Sequence, residues 1–178
     1  MNLHRILALA CLTGTAWQAA PLADGILVEA ETIHRKTPSN RTFAMPTREL
    51  AASGLRVLYK FYTQGTVFYR VDIPRPGQWH GWVRYGAKHP QVLHTALNPG
   101  DPPEWDDTVL PATGGYIGRG VWRWARLFSR RLEAGPHVLA VQQAALRLDC
   151  FYLTSDTAAP TDKETLKMGP MEWSDEVL

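Results

Sequence analysis

The chain has 178 residues, enough for one domain with a sizeable core. Hydrophobic residues make up 45% and charged residues 20%, an ordinary globular balance, and a formal net charge of +2 is too small to point to nucleic acid or an anionic membrane surface. The 13 prolines, 14 glycines and 7 tryptophans favour short strands and turns over long helices.

The N-terminus reads as an address. "MNLHR" is a short basic region, "ILALACLTGTAW" is apolar, and small residues follow in "QAAPLADG". The run is too short for a membrane span of ~20 apolar residues, so residues 1–20 are expected to be a secretory signal peptide, cleaved between Ala16 and Ala23. The expected destination is secreted or periplasmic. Cys11 invites a lipoprotein reading, but only five apolar residues separate it from Arg5. That is short of the lower limit of about seven, and lipidation is not expected. Without that segment Cys150 is the sole cysteine, lying in the apolar run "LRLDCFYL" as a small buried hydrophobe.

The first strand is "GILVEAETI". On a strand Glu29 and Glu31 share a face, because side chains alternate with period two. Two like charges side by side suit either a solvated sheet edge or a shared cation. "GLRVLYKFY" follows, then "TVFYRVDIP". In the latter Val67, Tyr69, Val71 and Ile73 fall on one face, with Phe68, Arg70 and Asp72 on the other. "RPG" makes a turn, and "QWHGWVRYG" returns as its hairpin partner, with Trp79 and Tyr85 on one face and Trp82 on the other. "QVLHTALN" is the next strand.

Residues 98–120 read as a long loop region with at most one short strand, at "DTVL". "VWRWARLFSRRL" fits a strand better than a helix because its tryptophans are β-compatible. The closing hairpin is "EAGPHVLAVQQAALRLDCFYLTS", with His137 serving its lead-in turn and the link near "QQAA". Asp149 sits inside its apolar last strand, where a carboxylate must be paired or metal-bound. Residues 157–178 show no period-two pattern and are expected to be an extended tail. Many short strands, turns and little helix point to an all-β sandwich over residues 24–156.

Five matches, in order, carry a family resemblance: Glu29-Ala30-Glu31, the hairpin from Tyr69 to Trp79, Arg84-Tyr85, the turn from Leu132 to His137, and Leu148-Asp149. Together they resemble the carbohydrate-binding modules of families 6 and 35, which have galactose-binding-like jelly rolls. Trp79 stands where the family commonly has Tyr. The resemblance spans about residues 26–156. It implies a single-domain β-sandwich jelly roll that binds a polysaccharide or other glycan without catalysis. It also implies a structural Ca²⁺ at Glu29, Glu31 and Asp149, helped by a backbone carbonyl near Ser53–Gly54. A salt bridge from Arg56 or Arg147 to one of these carboxylates is the competing arrangement.

Sugars stack their C–H faces on flat rings while polar groups fix the hydroxyls. In the resembling family the ligand aromatics lie on loops at one end of the sandwich, where "GGYIGRGVW" falls here. Tyr116 and Trp122 are therefore first candidates. Trp105, in "DPPEWDD", is next, with Asp106, Asp107 and Arg119 to bond hydroxyls. The family cleft also uses an Asn shortly before the late Asp; "AALRLD" has none.

Enzyme signatures are absent: the sequence has no G-x-S-x-G elbow, P-loop, G-x-G-x-x-G or H-E-x-x-H. The histidines are scattered, and His89 with His94 lacks the third and fourth ligands a zinc site needs. The chain is thus expected not to be an enzyme. The alternative to a glycan-binding module is a protein-interaction module on the same fold, with a protein partner.

Overall fold

The computed structural model of the chain describes residues 25–37, 43–46, 56–59, 65–114, 121–142 and 146–162, with the side chains of 43–46 and 56–59 outside the description. The expected signal peptide, Tyr116, Arg119, the Ser53–Gly54 carbonyl and most of the tail lie outside the described residues.

Among the described residues eleven strands follow in order: β1 (Gly25–Glu29), β2 (Arg35–Lys36), β3 (Phe43–Pro46), β4 (Arg56–Tyr59), β5 (Val67–Ile73), β6 (Gly77–Gly86), β7 (Gln91–Leu97), β8 (Asp106–Leu110), β9 (Arg123–Leu132), β10 (Gly135–Gln142) and β11 (Arg147–Thr154). They form two antiparallel sheets. One runs β3-β4-β11-β6-β9, with β1 also on β11; the other runs β2-β5-β10-β7-β8. The expected all-β sandwich is the observed one. The "DTVL" strand and the strand reading of "VWRWARLFSRRL" both appear, as β8 and β9.

β5 shows the governing pattern. Val67, Tyr69, Val71 and Ile73 are buried in the core between the sheets. On the other face Arg70 and Asp72 are exposed and bond each other at 3.2 Å. β-branched residues suit this pleated, half-buried surface. The β9–β10 turn depends on Gly135, whose φ of 118° disfavours any side chain. His137 serves that turn as its spacing suggests, donating from Nε2 to the Glu133 carbonyl at 2.9 Å.

β6 and β11 depart from simple alternation. Trp79, Val83 and Tyr85 face the core together with Phe151 and Leu153. Trp82 and Tyr152 lie outside that cluster, on the opposite face, yet are only 8% and 9% exposed. Gly81 leaves room for a neighbour: a Cβ there would run into the Phe128 ring of β9. Gly81→Val is therefore expected to lower unfolding free energy by about 1–3 kcal/mol through overpacking. A urea midpoint equal to that of the parent would refute this packing.

Candidate functional site

β1 ends early for a topological reason. β11 gives its partner edge to β1 from Cys150 to Thr154, and to β4 at Arg147 and Leu148. β1 therefore cannot continue past Glu29. The last contact is Ala30 N–H to the Asp149 carbonyl at 3.0 Å, and the chain then turns, with Thr32 N–H bonded to the Glu29 carbonyl at 3.0 Å. Glu31 thus lies in a turn, and the shared strand face expected for Glu29 and Glu31 does not exist.

Asp149 is the extra residue of a β-bulge, because Leu148 faces Tyr85 while Cys150 faces Arg84. The bulge aims its carboxylate at Arg84, whose Nη1 donates to Oδ2 at 2.7 Å, with both side chains at most 1% exposed. A salt bridge of the kind weighed against a metal is made at Asp149, by Arg84; the Arg56 side chain lies outside the described residues. Arg84 also bonds Asp162 at 3.0 Å, where the aspartate is 66% exposed. Trp122 packs its ring near Arg84 and Arg147, whose guanidinium carbons lie 5.5 and 4.9 Å from the ring centre. That ring is half-buried against the two cations.

The implied calcium divides the three carboxylates. Asp149 gives its Oδ2 to Arg84. Glu29 and Glu31 remain at the turn, each with one carboxylate oxygen buried. They fit a hard cation that accepts carboxylate and backbone oxygens together. Among the described residues no three His, Cys, Asp or Glu side chains gather in metal-binding geometry. The nearby Tyr69 phenol is pushed well above its usual pKa, first by burial and then by the Glu31 charge. Its O–H donates to the Ala30 carbonyl at 2.8 Å and stays protonated, which ties the turn to the core.

The more open site lies on the outer face of the five-stranded sheet. Cross-strand register sets one row: Arg35 opposite Phe68, Phe68 opposite Ala140, and Ala140 opposite Ala96. Trp105, just before β8, packs against Phe68, Ala96 and Ala140 and completes it. Trp105 thus covers two buried alanines, and a trough opens beside it that Phe68 also lines. The Arg35 guanidinium lies 3.9 Å from the Phe68 ring centre, so it lines the trough above that ring. Beyond this row Gln142 donates to Thr66 Oγ1 at 3.1 Å, and Thr66 N–H donates to Thr37 Oγ1 at 3.0 Å. Asp101 on the overhanging loop joins them, around a hollow of about 560 Å³.

That loop is rooted at Asn98. Its φ of 51° is one that Asn tolerates, and its Oδ1 accepts from Val138 N–H at 2.9 Å. Its Nδ2 donates to His137 Nδ1 at 2.8 Å. Trp105 is thereby held at a fixed height over the sheet, half-exposed. Its other side borders a second hollow of about 440 Å³, which Asp106 and Arg130 also line. Asp106 is not a free acceptor: Arg130 grips both its oxygens at 2.6 and 2.9 Å, joining the edges of the two sheets. Asp107 bonds His94 at 2.6 Å on the exposed surface.

Of the residues nominated from sequence, Trp105 and Asp106 come together, while Trp122 stands apart among the arginines. Phe68, Ala96, Ala140, Arg35 and Gln142 were missed. One signal was available: Phe68 is an aromatic on the face that otherwise carries Arg70 and Asp72.

No protein-family model and no curated protein matches this sequence. Solved structures do. The C-terminal CBM6 of LamC, a marine laminarinase from Zobellia galactanivorans, aligns with a TM-score of 0.59 at 15% identity, over 74% of this chain and 100% of that one. A family 35 carbohydrate-binding module from Clostridium thermocellum gives 0.58 at 15% identity, over 74% and 98%. A third, CBM6cm-2 from Cellvibrio mixtus lichenase 5A, solved with cellotriose, gives 0.56 at 17% identity, over 74% and 97%. The chain has the fold of a carbohydrate-binding module. In some matched enzymes this module fold spans only 28–30% of the longer chain. At these identities the likeness is one of fold, and the site stands on its own residues.

Proposed function

We propose that the chain is a non-catalytic carbohydrate-binding module, secreted or periplasmic, that receives a polysaccharide in the Trp105 trough. The observation that carries this is the row Phe68–Ala140–Ala96 closed by Trp105. A sugar ring can lie in the hollow with its C–H face against the indole. Gln142, Thr37, Thr66 and Asp101 offer the amide, hydroxyl and carboxylate groups that order sugar hydroxyls. An open hollow with a few polar groups and aromatic walls is the usual form of a small-molecule site. The basic and apolar N-terminal residues support export, and among the described residues no helix is long and apolar enough to cross a membrane.

The test is calorimetric titration of soluble polysaccharides into the full chain, beside an assay of reducing-sugar release. Binding without release is the expected result. A blank glycan panel would reject this reading in favour of its rival, a protein-interaction module on the same fold.

A structural Ca²⁺ belongs to the same proposal, held by Glu29 and Glu31 and serving the β1–β2 turn. A ligand bound only by the folded state at about 100 times its Kd stabilises by about 2.7 kcal/mol. EDTA is therefore expected to lower Tm by several degrees, with full recovery on adding excess calcium. An unchanged Tm would remove the metal without touching the trough.

A further inference from the structure

The outer face of the six-stranded sheet is buried although it lies away from the core. β11 is buried along its whole length, and β6 from Trp79 onward. Antiparallel sheets usually leave such a face to water. Here it carries His80, Trp82, Arg84 and Tyr152, at 5%, 8%, 1% and 9% exposure. Trp124 meets Tyr152 edge-on at 6.3 Å, and the Arg126 guanidinium lies 5.9 Å from the Trp82 ring centre. Left open, this aromatic patch would be an interaction or aggregation surface.

The segment that follows β11 returns toward this face. β11 ends at Thr154, opposite His80, while Arg84 stands opposite Cys150. Asp162 nevertheless reaches Arg84 Nη2 at 3.0 Å and Nε at 3.1 Å. Residues 155–162 must therefore run back along the sheet from the level of His80 to that of Arg84. A tight reversal starts them off: Asp156 N–H donates to Thr154 Oγ1 at 3.0 Å, and Ala158 N–H to Asp156 Oδ1 at 2.9 Å. Arg75 reaches Ser155 at 3.5 Å across the same end.

We propose that residues 155–162 are a strap that docks on the outer aromatic face of the six-stranded sheet, with Asp162 fastening it to Arg84. The occupant of this face is the chain's own C-terminal segment, and Trp82 and Trp124 are packing residues beneath it. Three observations converge: the burial, the reversal at Thr154–Ala158 and the bond to Arg84. The strap is independent of the trough, which lies on the other sheet.

The test compares the full chain with one ending at Asp162, one ending at Thr154, and the full-length Asp162→Lys variant. The chain ending at Asp162 keeps the strap and, because it lacks Trp173 as the shorter chain does, is the reference for tryptophan quenching by acrylamide. The chain ending at Thr154 is expected to quench about twofold more strongly, as the buried Trp82 and the half-buried Trp124 open to solvent. In Asp162→Lys, amide exchange at Trp82–Arg84 and at Cys150–Tyr152 is expected to rise about tenfold while the core positions Leu139 and Val141 keep their rates. Equal quenching for the chains ending at Thr154 and Asp162 would overturn the strap. If the shorter chain does not fold, unchanged exchange in Asp162→Lys overturns it instead.

Discussion

Trp105→Ala is expected to weaken polysaccharide binding by roughly 30-fold or more, about 2 kcal/mol, the loss typical of a central aromatic anchor. The reason is geometric. Trp105 forms one wall of the trough and borders the second hollow as well, so no other described ring can replace it. Its packing on Ala96, Ala140 and Phe68 also fixes the loop, so Trp105→Phe is expected to restore part of the affinity. Trp122→Ala is the control, because its ring packs near two arginines at the far end of the other sheet. Calorimetric titration of all three variants decides the matter. A parent-like affinity in Trp105→Ala would move the site elsewhere, and a total loss in Trp122→Ala alone would return it to the loop end.

Asp149→Ala is expected to cost about 3–5 kcal/mol of unfolding free energy, because it removes the buried partner of Arg84 and leaves the exposed Asp162 to answer a charge held inside the protein. Against a usual stability of about 5–15 kcal/mol that is a severe loss. The ion pair is sealed from water, and its worth lies in both partners being present. Arg84→Met combined with Asp149→Leu is therefore expected to recover most of it, since apolar residues of similar volume remove both desolvation costs. Urea unfolding of the two single variants and the double variant gives the coupling energy directly. A value for Asp149→Ala within about 0.5 kcal/mol of the parent would mean that water reaches the pair.

The same bulge limits how much of this end could be read in advance. The apolar run "LRLDCFYL" announces a buried strand, and an aspartate inside it announces a partner. Which partner it has depends on β6 pairing with β11 in one register, with Asp149 as the extra residue. Arg84 is 65 positions away and carries no local mark of that meeting. Glu31 illustrates the opposite limit. Period-two spacing places it beside Glu29, but the edge it would have used belongs to β4.

The trough was half legible. Trp105 stood out as an aromatic in a proline-flanked acidic loop. The alanines it packs on did not, because positions 96 and 140 look unremarkable until β7 and β10 align them. Asp106 drew attention as a polar group beside a tryptophan, yet its carboxylate closes the sandwich edge with Arg130.

By itself the sequence determined the all-β class, most strand positions and the inward face of β5, because alternation and turn residues act over a few neighbours. Tertiary structure alone decided what each isolated charge and ring faces. Ion pairs, packed rings and covered faces depend on register between distant strands, and register is fixed only when both sheets have found their core.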